Sequence, residues 1–246
     1  EVGKLANEIL FSVEQLLGQR LEEFKGIKKK SIKKDFWDIT IPGNKPPLGH
    51  LHLITQAIDE ISEIFAHIGF TRVRYPEVEW DWYAFGALNF PENHPARDDW
   101  ETFFIDEEPD SKFGPMILTP HTSSGQVREM ERIRPPIKML NIAKCYRRQS
   151  DVSHTQMFHQ FEGMVIGEKI SVAELKGVFD YFVRSYFGRD RKSRIRPYHF
   201  QFTEPSFEVD ITCDICLGKG CRLCKEGWLE LGGAGMVHPN VLKSGK

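Results

Sequence analysis

Two runs of strand-forming residues, Ile137–Arg147 and Met157–Ile166, flank the polar stretch Ser150–Gln156, and this arrangement predicts a long antiparallel hairpin. Side chains two apart on a strand share a face. One face of the second run therefore carries Phe158, Gln160 and Glu162, and the first run offers Cys145, Arg147 and Gln149 in the same way. A third run, His199–Ile211, is expected to set Phe200, Phe202 and Glu204 on a single face. Such faces make a poor apolar core, because each polar group buried without a partner would cost about 1–3 kcal/mol. Two arrangements accommodate them: a sheet face open to solvent, or a concave ligand site in which aromatics surround a few placed polar groups. Three phenylalanines beside the charges fit the site better. An arginine can hold a phosphate through paired N–H bonds, and a phenylalanine can stack on a flat base. Gln and Glu can accept hydrogen bonds from an ammonium group, and Glu204 can offer oxygen to a divalent cation. Together these suit a nucleotide plus an amino acid.

Elsewhere, Leu5, Ile9, Val13, Leu16, Leu17 and Leu21 recur at helical spacing and predict an amphipathic helix over Val2–Phe24, ended by Lys25-Gly26. A second helix is expected from about Leu51 to His67, capped by Gly69. Phe70–Glu79 then reads as one strand, and Pro76 assigns it to an edge or interface. Further strands are expected at 35–40, Met116–Thr119 and Trp228–Gly232, and helices at Ser124–Ile133 and Ser171–Phe187. Strands dominate the second half without regular βα alternation. The expected class is therefore α+β, an antiparallel sheet flanked by helices with an N-terminal helix. The domain boundary is expected near Ser31–Asp35, giving residues 1–34 as a helical arm and linker and 35–246 as the main domain.

Hydrophobic residues make up 40% and charged residues 28% of the chain, an ordinary balance for a globular protein. Its apolar runs are far too short to span a bilayer, so no membrane role is expected. No signal peptide is recognisable, and a cytoplasmic setting is the default. Because the chain opens with Glu1 rather than Met, the natural N-terminus is expected upstream. The net charge of −2 confines nucleic-acid contact to local patches. One such patch is Lys28, Lys29, Lys30, Lys33 and Lys34, which reads either as a solvated linker or as an RNA-backbone contact. Four of the five cysteines, Cys213, Cys216, Cys221 and Cys224, fall within twelve residues. Two Cys-x-x-Cys pairs suit a closed tetrahedral structural Zn²⁺ site. A reduced, metal-free turn is the alternative, since only four residues separate the pairs.

Motifs in one order along nearly the whole length resemble the α subunit of bacterial-type phenylalanyl-tRNA synthetases, which are class II aminoacyl-tRNA synthetases. They run through Asp38–Gly43, Gly49-His50-Leu51-His52, Ala87-Leu88-Asn89, His94–Asp98, Thr119–Ser123, Met157–Gln160, Phe202–Ser206 and Gly235–Asn240. The resemblance implies an antiparallel catalytic sheet that activates phenylalanine with ATP and Mg²⁺ as an adenylate and transfers it to tRNA(Phe). It implies a β-subunit partner in an α2β2 assembly. Helix 51–67 with the strand ending at Pro76 is similar to class II motif 1, and the hairpin Cys145–Glu162 to motif 2. By that likeness Arg147 meets the α-phosphate, with Gln149 on the adenine amino group, His154 near the outer phosphates and Phe158 against adenine. Trp100, His121, Ser123, Gln126, Gln160 and Glu162 would bind the polar end of phenylalanine. Phe200 and Phe202 would pack on its ring, with Gly233, Ala234 and Gly235 as a wall. Glu204 would hold a Mg²⁺ shared with the β subunit.

Some positions depart from the family pattern. Gln149 stands where motif 2 often has an acidic residue, Gln201 where a proline separates the two phenylalanines, and Leu53 where a proline is usual. Motif 3 and most of the tRNA-contacting N-terminal arm are not found between Glu1 and Lys246. The chain thus resembles a fragment and is expected to be inactive alone. Two other readings are a non-catalytic synthetase-like paralogue and a zinc-stabilised RNA-binding module. Neither accounts for the whole ordered set Arg147, Phe158, Gln160 and Glu162.

Overall fold

The computed structural model describes residues 2–26, 43, 48–95, 97, 100–151 and 154–246. The lysine run, the strand expected at 35–40 and the boundary near Ser31–Asp35 lie outside these residues. The chain divides into two compact units, residues 1–50 and 51–246.

In the first unit, helix α1 (Val2–Gly26) confirms the leucine spacing. Its apolar stripe is exposed along its length; Leu16 and Leu17 are both more than 60% exposed.

In the second unit, α2 (Leu53–His67) buries Ile61 and Phe65. The chain then forms β1 (Thr71–Val73) and β2 (Val78–Trp80), two strands rather than the one expected over 70–79. Pro76 has no N–H to offer a ladder, and the chain changes sheets there. The strand β1 is the parallel edge neighbour of β4 (Ile137–Tyr146), whereas β2 pairs antiparallel with β3 (Met116–Leu118). Between β2 and β3 lie α3 (Asp81–Ala84) and a 3-10 turn at Gly86–Leu88, and α4 (Ser124–Arg132) follows β3.

The hairpin forms as expected. The strand β5 (Met157–Ile166) pairs antiparallel with β4 in continuous register from Ile137↔Ile166 to Tyr146↔Met157. One face of this hairpin packs under α2 and α5 (Val172–Tyr186), where Phe65, Phe161 and Phe182 have ring centroids 5.1–6.1 Å apart. A full capping box of Ser171 and Glu174 starts α5. Apolar contact thus fixes one face, leaving the other for the polar side chains.

The third sheet has the order β6–β7–β8, with β6 (Ser193–Tyr198), β7 (Thr203–Thr212) and β8 (Trp228–Val237), all antiparallel. The single strand expected over 199–211 is corrected here. Residues 199–202 are the β6–β7 connection, so Phe200 and Phe202 do not share a strand face with Glu204. Helix α6 (Pro239–Ser244) follows β8. Among the described residues, no helix is long and apolar enough to cross a membrane.

Candidate active site

A cleft of ≈ 410 Å³ opens between the β4–β5 hairpin and the β6–β7 connection. That is within the range of small-molecule sites. Of the residues singled out from sequence, Trp100, Arg147, Gln149, Phe158, Phe200 and Phe202 line it. Glu101, Pro120, Tyr198, His199 and Gln201 complete the wall.

Arg147 lies just past the end of β4, but its backbone N–H still donates to Gln156 O at 3.0 Å and continues the ladder. Its guanidinium sits 4.8 Å from the Phe158 ring centroid, and its Nε donates to Thr155 O. Cation and ring are thus stacked at the cleft mouth. Gln149 Nε2 donates to Asp151 Oδ2 at 3.2 Å, and His154 Nδ1 is 2.7 Å from the same oxygen. Across the cleft, the Phe200 and Phe202 rings are stacked with centroids 5.6 Å apart.

The remaining polar residues form a cluster beside the cleft. Register places Cys145, Ala143 and Asn141 opposite Phe158, Gln160 and Glu162. Glu162 accepts from Thr122 Oγ1 at 2.8 Å, from Ser123 Oγ at 2.7 Å and from Gln126 Nε2. Gln160 Nε2 donates to Thr122 Oγ1, and Asn141 Nδ2 to Thr122 O. All these donors to Glu162 are neutral. Burial pushes its carboxyl above the ordinary carboxylate range, although the bonds from Ser123, Gln126 and Thr122 pull the other way. Gln126 Oε1 and Asn141 Oδ1, both buried, have no hydrogen-bond partner.

His121 links the cluster to the cleft. Its ring lies edge-on to Trp100 at 4.8 Å and stacks near Phe202 at 6.5 Å. Its Nδ1 accepts from the Ser123 amide. Desolvation drives its pKa down to about 4, against smaller opposing effects of the Ala84 and His121 backbone, so the ring is neutral at pH 7. Burial and the nearby Glu162 charge push the Cys145 thiol up to about 12, which makes it inert rather than a nucleophile.

Gly233, Ala234 and Gly235 do not line the cleft. A Cβ on Gly233 would lie 2.7 Å from the Phe200 ring, and one on Gly235 would meet Thr203 and the Pro205 carbonyl. These glycines therefore admit the protein's own aromatic turn. Glu204 also lies off the cleft wall, with its side chain 70% exposed and 3.4 Å from His238 Nε2.

Sequence reasoning did not single out Thr122 or Asn141. Asn141 carried a signal, as the one amide within the apolar run of β4 directly across the hairpin from Glu162.

The cysteines stand apart, in the β7–β8 connection. All four Sγ atoms lie within 4.8 Å of one another, with contacts of 3.4, 3.5 and 3.9 Å. Four sulfurs around one zinc at about 2.3 Å would be about 3.8 Å apart. The Gly220 and Gly227 amides donate to Cys216 and Cys224 sulfurs at 3.2 Å. Gly220 and Gly227 have φ of 92° and 89°, and a Cβ at either would strike a backbone carbonyl. The donor set and its spacing fit a tetrahedral metal.

Residues 36–245 match the family model for the class II core domain (F) of tRNA synthetases. The phenylalanine–tRNA ligase alpha subunit of Syntrophobacter fumaroxidans is 47% identical over 98% of this chain and 70% of its own length. That of Geobacter metallireducens is 46% identical with the same coverage. Among solved structures, a pyrrolysyl-tRNA synthetase from Desulfitobacterium hafniense superimposes with a TM-score of 0.54 at 17% identity, over 78% of this chain and 62% of that one. At that identity the likeness speaks for the fold alone.

Proposed function

This chain belongs to the phenylalanine–tRNA ligase alpha subunits, a family of class II synthetases, and on that premise we propose that its cleft forms phenylalanyl-adenylate and passes the amino acid to tRNA(Phe). The observation that carries this reading is a carboxylate, Glu162, held by neutral donors only, beside a cleft with a guanidinium at one side and stacked phenylalanines at the other.

In this reading the ammonium of phenylalanine docks on Glu162 and Gln160, replacing lost hydration with charge-assisted bonds. His121, Ser123 and Gln126 fix the polar end together with Trp100, while Phe200 and Phe202 take the ring. The substrate carboxylate then attacks the α-phosphorus of ATP in line, forming a mixed anhydride and releasing pyrophosphate. Arg147 turns from Phe158 to the α-phosphate, which uncovers the ring for adenine and offsets charge developing on the phosphate. Gln149 accepts from the adenine amino group and His154 lies near the outer phosphates. The terminal hydroxyl of tRNA next attacks the anhydride, and AMP leaves.

Magnesium would supply electrostatic stabilisation of the phosphates. Among the described residues the exposed Glu204 would offer it one carboxylate, with the remaining ligands to come from ATP and from the β subunit of an α2β2 enzyme. Zinc fits the four cysteines as a structural ion that closes the β7–β8 connection. We assign residues 35–246 to the catalytic domain and 1–34 to an arm and linker, with a cytoplasmic setting.

The deciding assay is phenylalanine-dependent ATP–pyrophosphate exchange by the full-length chain assembled with its β subunit. Exchange is expected; its absence in a folded assembly would overturn the enzyme reading. For zinc, metal analysis should find one ion per chain, lost with thermal stability in Cys213→Ser. Unchanged metal content and stability in that variant would refute the site.

A further inference from the structure

The aromatic turn of the cleft is held from outside by side chains distant in sequence. Phe200, Gln201 and Phe202 belong to the β6–β7 connection, where no ladder fixes the backbone. Local bonds hold its ends: Ser206 Oγ accepts from Phe200 N at 3.2 Å, and Thr203 N donates to Phe200 O at 3.3 Å. At the middle of the turn, Gln201 O accepts from Asn89 Nδ2 at 2.8 Å, a contact spanning 112 residues. Asn89 in turn is held by Asn240, whose Nδ2 donates to Asn89 Oδ1 at 2.9 Å. That second bond orients the amide so that its donor, not its acceptor, faces Gln201. His238, two residues before Asn240, donates its backbone N–H to Phe202 O at 3.0 Å. Its side chain caps α6 by accepting from the Asn240 amide at 3.0 Å, so the segment bearing both contacts is itself fixed.

Asn89 has φ 66° and ψ 26°, the left-handed region, directly after the 3-10 turn. Glycine would adopt that conformation with less strain, and asparagine tolerates it. The backbone alone therefore does not require an asparagine. We propose that Asn89, oriented by Asn240, is a positioning residue for substrate selection: it sets the Phe200–Phe202 turn at the depth that fits the aromatic ring of the amino acid.

The proposal rests on the reading of this cleft as the phenylalanine site. It is tested on the full-length chain assembled with its β subunit, by measuring KM for phenylalanine and for ATP, kcat for exchange, and equilibrium phenylalanine binding by calorimetry. Asn89→Gly keeps the left-handed backbone and removes the side chain, and with it both the bond donated to Gln201 and the one accepted from Asn240. It should raise KM and Kd for phenylalanine by about fivefold, the loss of one ordinary hydrogen bond, with KM for ATP within about twofold of the unaltered enzyme. Asn89→Asp keeps the size but sets a carboxylate against the Gln201 carbonyl, and should be worse than Asn89→Gly. Asn240→Ala, which frees the Asn89 amide to turn, should show a smaller rise of the same kind. Asn89→Gly with unaltered phenylalanine constants would mean that Asn89 serves backbone conformation alone, and would overturn the proposal. Equal losses in phenylalanine and ATP constants would also overturn it, as a general defect of folding. Failure of the unaltered enzyme to bind phenylalanine would instead fault the underlying site reading.

Discussion

This protein holds two kinds of carboxylate away from solvent. Glu79 and Glu129 are each only 1% exposed, and each has its own arginine. Arg128 donates twice to Glu79 at 2.6 Å and stacks 3.9 Å above the Tyr83 ring. Arg132 donates twice to Glu129, with the Tyr75 hydroxyl as a further donor. Glu162, on β5, receives comparable numbers of hydrogen bonds but no cation. The consequences appear as opposite shifts. Arg132 holds the Glu129 carboxyl below its ordinary range, whereas burial lifts that of Glu162 above it. A buried charge without a partner is tolerated mainly where something outside the chain completes it. The paired carboxylates brace the fold; the unpaired one is, on the function proposed above, completed by the ammonium of the substrate.

The largest effect should come from breaking a pair. Arg128→Ala leaves Glu79 buried and uncompensated, and should cost about 3–5 kcal/mol in chemical denaturation. A loss below about 1 kcal/mol would mean that the pair does not brace the fold. Gly125 sharpens the contrast because it sits where the two systems meet. A Cβ there would lie 2.7 Å from Asn141 Nδ2 and 2.9 Å from the Tyr75 ring. Alanine favours helix over glycine, yet Gly125→Ala should destabilise by about 1–3 kcal/mol through overpacking. Greater stability in that variant would show that the contact relaxes freely.

The smallest effect is in pH dependence. Glu129, with its pKa lowered, contributes stability present above the ordinary carboxyl pKa and lost as pH falls through the lowered value. Glu162, with its pKa raised, contributes stability present below the ordinary pKa and lost as pH rises through the raised one. On the function proposed above, phenylalanine binding favours ionised Glu162, so the thermal shift it produces should grow as pH climbs from just above the ordinary carboxyl range. A shift that shrinks with pH there would reverse the assignment.

Much of this was legible from local sequence. The hairpin, the shared face of Phe158, Gln160 and Glu162, and the helices over 53–67 and 172–186 follow from spacing alone. The division at Pro76 and the strand Ser193–Tyr198 were missed because strand pairing is decided by distant partners. Likewise nothing local joins Thr122 to Glu162 or Arg128 to Glu79, which are contacts across 40 and 49 residues. Phe200 and Phe202 line the cleft from the β6–β7 connection, not from the expected strand. Their alternation mimics a strand, but the backbone turns at Gln201 and Phe202.

The central claim is that Glu162 is completed by a ligand cation, and Glu162→Gln in the full-length enzyme assembled with its β subunit tests it most directly. Calorimetric titration should show phenylalanine affinity falling by about a hundredfold, the cost of a lost charge-assisted contact, while thermal stability without ligand is unchanged or raised. Unaltered phenylalanine affinity, or a loss of unliganded stability as large as that of Arg128→Ala, would contradict the account.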